Sequence, residues 1–93
     1  MKELTALQQE FFEKLQYIQK KSVASALINY NKGMIIEELL YDVTYDAMCD
    51  IMVFIDGYMG ELKLDIVERE SGESVRAGTE LHDRCEEFLR YAK

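Results

Sequence analysis

Leu4, Leu7, Phe11, Leu15 and Ile18 recur at steps of three and four residues. At ~100° per residue they form one stripe, the period of an amphipathic helix. Ser22, Ser25, Ala26 and Asn29 prolong that stripe with small or polar side chains, as expected where another backbone comes close. Phe12, Val23, Leu27 and Tyr30 form a second, flanking apolar strip. Asn31-Lys32-Gly33 supplies a basic end and a glycine for the left-handed position after a helix. The pattern predicts helix 1 over about residues 3–31, with a break near Ser22 as the alternative.

The next segment is patterned more strongly. Ile36, Leu40, Ala47, Met48, Ile51, Met52, Phe54, Ile55, Tyr58 and Met59 cover one broad helical face, and Glu38, Asp42, Asp46, Asp50 and Asp56 gather on the other. Tyr41 and Tyr45 lie at a border between them, while Ile35, Leu39 and Val53 intrude on the acidic side. A helix so widely apolar touches more than one neighbour, and a second copy of the chain is one candidate. The prediction is helix 2 over about residues 34–59, closed by Gly57 or Gly60, with a split at Thr44 as the alternative because Thr44 and Asp46 offer capping chemistry.

Beyond Gly60 the period changes to two. Leu62-Lys63-Leu64-Asp65-Ile66 alternates as a half-buried strand does, Glu70-Ser71-Gly72-Glu73 reads as a turn, and Ser74-Val75-Arg76 as the return. A β-hairpin is therefore expected over about residues 62–77. Thr79 is the expected cap of helix 3, over about residues 80–92, whose apolar stripe is Leu81, Cys85, Phe88 and Leu89. The predicted architecture is one mainly α domain spanning residues 1–93. It has two long antiparallel helices, a small β-hairpin and a C-terminal helix, and becomes α+β if the hairpin is regular.

Composition adds three constraints. With 93 residues the core is thin. The absence of proline leaves both long helices unbroken by backbone chemistry. Cys49 and Cys85 are not in a CxxC pair, and the reading is two reduced thiols with no disulfide. Met1 to Thr5 carries an early acid and no apolar run, and the longest apolar run is Ile51–Ile55. Neither a secretory signal nor a membrane span is expected, and the expected location is cytoplasmic.

Charge changes the picture more. The net charge is −7. Residues 33–62 hold seven acids (Glu37, Glu38, Asp42, Asp46, Asp50, Asp56, Glu61) and no Lys or Arg, while the flanking thirds nearly balance. Nucleic acid is an unsuitable ligand for such a chain, because phosphate binding needs a basic face.

Asp42, Asp46 and Asp50 stack at ~6 Å intervals on one helix face, where like charges repel. They read as a surface for a basic partner, as a divalent-cation site, or as a solvated face neutralised by Lys14, Lys20 and Lys21 of helix 1. The cation reading is the weakest, because hard-cation sites fold oxygens around the ion from loops. His82, the one histidine, has Asp83 and Glu86 nearby, the makings of a general base, but no nucleophile motif surrounds Ser74, Thr79 or Cys85. No catalytic residue, metal ligand or cofactor is assigned.

The expected function is a non-enzymatic protein-binding module. It would present Glu38, Asp42, Asp46 and Asp50, with Tyr41 and Tyr45, to a basic protein partner. An immunity, antitoxin or inhibitor role is the concrete version. The alternative is a structural or assembly subunit, a homodimer in its simplest form, that self-associates through helix 2.

Overall fold

In the computed structural model, which describes residues 3–91, two long helices form an antiparallel pair, α1 (Ala6–Asn31) and α2 (Ile36–Ile55). A 3-10 turn at Leu81–Arg84 leads directly into the short α3 (Cys85–Phe88). The mainly helical class and the two long helices match expectation. No helix among the described residues is long and apolar enough to cross a membrane.

Local chemistry sets the helix ends. α1 starts at Ala6, later than expected, because Thr5-Ala6-Leu7-Gln8 forms a capping box. Thr5 Oγ1 accepts the Gln8 amide at 3.1 Å, and Gln8 Oε1 accepts the Thr5 amide at 2.9 Å. Both long helices then end in the same way. The Gly33 amide donates to the Tyr30 carbonyl and the Met34 amide to that of Asn29; Gly57 and Tyr58 repeat this with Phe54 and Val53. These are Schellman closures, and they require a left-handed residue, met by Gly33 (φ 92°) and Gly57 (φ 95°). α2 therefore stops at Ile55, short of residue 59.

Neither alternative break occurs. Thr44 Oγ1 bonds back to the Leu40 carbonyl at 2.7 Å and the Tyr41 carbonyl at 3.1 Å, which spends the hydroxyl that a cap at Thr44 would need. Ser22 is buried in mid-helix against α2.

The expected β-hairpin over residues 62–77 is not formed. Among the described residues an isolated antiparallel bridge links Val67 and Ser74, flanked by two backbone bonds, from the Val75 amide to the Ile66 carbonyl at 2.9 Å and from the Glu68 amide to the Glu73 carbonyl at 3.0 Å. Side chains divert the backbone. Ser74 Oγ donates to Asp65 Oδ2 at 2.6 Å and accepts the Arg76 amide at 3.0 Å, while Asp65 Oδ1 takes the Ile66 amide at 2.7 Å. Such local bonds replace a ladder, and the alternation of residues 62–66 is left without a partner strand. Helix 3 is also shorter than expected, and the part predicted at Ala92 lies outside the described residues.

The core is small. Among the described apolar residues, only Ile18, Phe54, Ile55 and Cys85 are buried. Phe11 packs on Phe54 at 5.7 Å between ring centroids and joins the start of α1 to the end of α2. The C-terminal segment covers the flank of α2 that carries Tyr41, Tyr45 and Cys49: Tyr91 stacks on Tyr45 at 4.8 Å, and the Arg90 guanidinium lies 4.2 Å over Tyr41.

Candidate functional site

Three arrangements on this frame carry chemistry. The first is the acidic row of α2. Four-residue spacing places Asp42, Asp46 and Asp50 along one line, and that line faces the polar stripe of α1. Asn29 Nδ2 donates to Asp42 Oδ2 at 2.8 Å, and Lys21 Nζ pairs with Asp50 Oδ2 at 3.0 Å. Ser22, Ser25, Lys21, Asp46 and Asp50 enclose a small polar crease between the helices. Burial raises the Asp46 carboxyl above the usual range, and Asp42 and Asp50 raise it further against the opposing pull of Lys21. The bond and charge of Asp50 raise the Lys21 ammonium.

The six residues expected to form one binding face are therefore divided. Asp42, Asp46 and Asp50 turn towards α1. Tyr41 and Tyr45 lie under Arg90 and Tyr91 on another side of α2. Glu38 is half-buried in the first turn of α2, where its charge, with that of Glu37, suits the helix dipole.

The second arrangement centres on Asp56, the last residue of α2's C-terminal cap. Its side chain has no exposed surface. Oδ1 accepts Arg76 Nε at 2.9 Å and the Leu81 amide at 3.0 Å. Oδ2 accepts the His82 amide at 2.9 Å and lies 2.6 Å from His82 Nδ1. Burial pushes this carboxyl up, but the bonds from His82, Leu81 and Arg76 outweigh it and hold it at about 2. It is thus an anion, and His82 Nδ1 is the donor. That bond raises the His82 ring above its ordinary value against the effect of burial, with the charges of Asp83, Asp56 and Glu80 adding to it.

Asp56 thereby caps the 3-10 turn from outside. Thr79, the expected cap, does not: its hydroxyl donates to the Glu80 carbonyl at 3.4 Å, and Glu80 occupies the cap position without a side-chain bond. From the sequence Asp56 is one of the seven acids of residues 33–62 and a member of the acidic face of helix 2. A carboxylate placed directly before a terminating glycine was the available signal, but its partners lie 20 to 26 residues away.

Ligand atoms of Asp56, Glu80 and His82 fall within 4.8 Å of one another, the kind of cluster that holds a metal ion. The fit is poor. Both oxygens of Asp56 already take two hydrogen bonds each, and His82 has carboxylates at both ring nitrogens, with Asp83 Oδ1 3.2 Å from Nε2. As an acid–base pair, His82 and Asp56 have dyad geometry, yet the free nitrogen meets an acid in place of a nucleophile. What the cluster does chemically is fasten residues 76–82 to the end of α2.

The third arrangement is an apolar groove along one side of the helix pair. Phe12, Val23, Leu27 and Tyr30 of α1 border it, opposite Leu39, Val43, Ala47 and Ile51 of α2. Its lining carries no charged residue. Leu27 is 58% exposed, Phe12 53% and Leu40, between Val43 and Thr44 on the helical wheel, 56%. The α1 border is the flanking strip visible in the sequence. The groove itself was not legible, because it depends on which side of α2 meets α1.

Comparison with known proteins gave no matching family model, no matching curated protein and no matching solved structure.

Proposed function

We propose that this chain is a non-enzymatic interaction module that works through the apolar groove between α1 and α2. The observation that supports this reading is the exposure of Phe12, Val23, Leu27 and Tyr30 along a groove whose lining carries no charge, in a domain whose core is otherwise small. Contiguous apolar surface of this kind marks binding sites in soluble proteins. Each fully covered Leu or Phe adds roughly 1.5–3 kcal/mol to association.

The test is the size of the protein in native host extract. The native chain is expected to elute well above its monomer mass, and Leu27→Glu to elute as a monomer. Identical elution of the two at monomer mass refutes the reading.

A second reading keeps the acidic side of α2 as the contact for a basic partner, in the manner of an immunity or inhibitor protein. It draws support from the seven acids and absent Lys or Arg of residues 33–62. In that role the bonds from Asn29 and Lys21 would preorder Asp42 and Asp50 for a partner. Recovery of the same partners by native protein and by a variant with Asp42, Asp46 and Asp50 changed to Asn refutes it.

A further inference from the structure

We infer that the occupant of the groove is a second copy of this chain, seated so that two α1–α2 pairs make a four-helix bundle. This rests on the groove being the working surface.

Three observations select that occupant. The first is area. The chain exposes 7283 Å², whereas a compact monomer of 10.9 kDa exposes about 5,600 Å². The excess, about 1,700 Å² per chain, lies in the range that an obligate homodimer buries, roughly 1,000–2,500 Å² per partner. The radius of gyration agrees: 15.4 Å, against about 12 Å for a self-contained domain of this length. Part of that exposed apolar surface, Phe12, Val23, Leu27 and Tyr30 of α1, lines the groove on the side of the helix pair.

The second is charge. A basic partner would be met by acids, but the groove lining has none; the acids Asp42 and Asp50 are turned to α1 and bonded there. Two copies of a chain of net charge −7 repel at long range, so a self-interface has to be free of carboxylates where it closes. This one is.

The third is shape. The apolar border of α1 runs from Phe12 to Tyr30, about 27 Å at 1.5 Å per residue, and that of α2 from Leu39 to Ile51, about 18 Å. A pair of helices with a groove between them offers ridges and a furrow together, so a two-fold axis seats α1 of each copy in the furrow of the other. The contact is then isologous and closes at two copies. Gln16 and Gln19 lie in the furrow, and in such a pairing their amides reach the opposite chain and fix its register.

The experiment is sedimentation equilibrium of the purified chain across micromolar concentrations, with circular dichroism of every sample. The expected result is one species of twice 10.9 kDa. Leu27→Glu and Leu40→Glu, one on each helix, are expected to give monomers of unchanged helicity. Phe88→Ser, at a residue 82% exposed on α3 and outside the groove, is expected to remain dimeric. Should either Glu variant lose helicity, Leu27→Ser and Leu40→Ser replace it and are expected to raise the dissociation constant at least tenfold.

A monomeric native chain at every concentration overturns the inference, as does a dimer that survives both substitutions or an open ladder of larger species. A purified monomer that is nevertheless enlarged in host extract, and reduced there by Leu27→Glu, overturns the second copy while the groove reading stands. A monomer in both settings removes both.

Discussion

His82 Nδ1 lies 2.6 Å from Asp56 Oδ2, across 26 residues of chain, and the same carboxylate receives the backbone amides of Leu81 and His82. One side chain at the end of α2 therefore fastens residues 76–82 to that helix. It substitutes for a β-hairpin in that task.

Asp56→Asn is expected to lower stability by about 3 kcal/mol, the usual scale for removing one member of a buried, hydrogen-bonded charge group. The amide keeps one acceptor oxygen and turns a donor towards Arg76 Nε or the backbone amides, so at least two bonds are lost. Urea unfolding monitored by helicity and by tyrosine fluorescence checks this. Equal midpoints for native and variant protein would show that the cluster carries no stability.

The same pair sets a pH window. His82 has a raised folded pKa, so its contribution is complete below its ordinary value of 6.5 and is lost as pH rises through the folded value. Asp56 is depressed from 3.8 to about 2, so its contribution is present above 3.8 and is lost as pH falls towards 2. Their combined contribution is greatest between those two ordinary values. Urea midpoints across pH, native against His82→Gln, are expected to differ most in that window and to converge on the alkaline side. A difference that grows with rising pH would reverse the sign and refute the assignment.

Cys49 and Cys85, 36 residues apart in sequence, meet where α3 lies on α2. Burial pushes the Cys49 thiol up to about 11, and the neighbouring Cys85 adds to this through charge and hydrogen bonding. Near neutral pH the residue is held as the unreactive thiol. Iodoacetamide is therefore expected to alkylate native Cys49 slowly, and Cys85→Ser to quicken it only in part, because burial remains. Peptide-level mass spectrometry reads both rates.

How much of this was legible follows from the range of each interaction. The glycine closures at Gly33 and Gly57, the long helices and the flanking strip of α1 are local and show in spacing alone. The capping box at Thr5 is equally local, and it displaces the start of α1 from residue 3. The hairpin failed as an expectation because Asp65 and Ser74 compete for the backbone, which alternation does not register. The acidic row was visible as residues but not as an environment. That Asp42 and Asp50 meet Asn29 and Lys21 depends on how α1 is rotated about its axis, which the wheel of α2 does not contain.

That rotation makes Asp46 a site of electrostatic strain. It stands between two like charges, with its proton affinity raised, and Lys21 is already paired with Asp50. Asp46→Asn is expected to raise stability by a few tenths of a kcal/mol, whereas a loss would mean that Asp46 has a partner of its own. The Lys21 side chain is 52% exposed, so Lys21→Ala is expected to cost less than about 1 kcal/mol. Thermal melts at low and high salt compare the two, and added salt is expected to shrink both effects.

Ser22 gives the sharpest test of how α1 and α2 meet. It is 4% exposed and its Oγ has no hydrogen-bond partner, although it lies within the helix pair. A buried hydroxyl without a partner costs about 1–3 kcal/mol relative to an apolar group in the same place. Serine is tolerated there because it is small enough for α1 to approach α2 closely, a demand that alanine meets as well. Ser22→Ala should therefore stabilise the chain by about 1 kcal/mol or more, part of it from alanine's better helix propensity. Ser25→Ala, one turn on and only half-buried, gains the propensity part alone and serves as the reference. A larger gain at Ser22 than at Ser25 in urea midpoints is the expected outcome. A loss at Ser22 would mean that its hydroxyl is bonded, and that the two helices are set closer or at another angle than described.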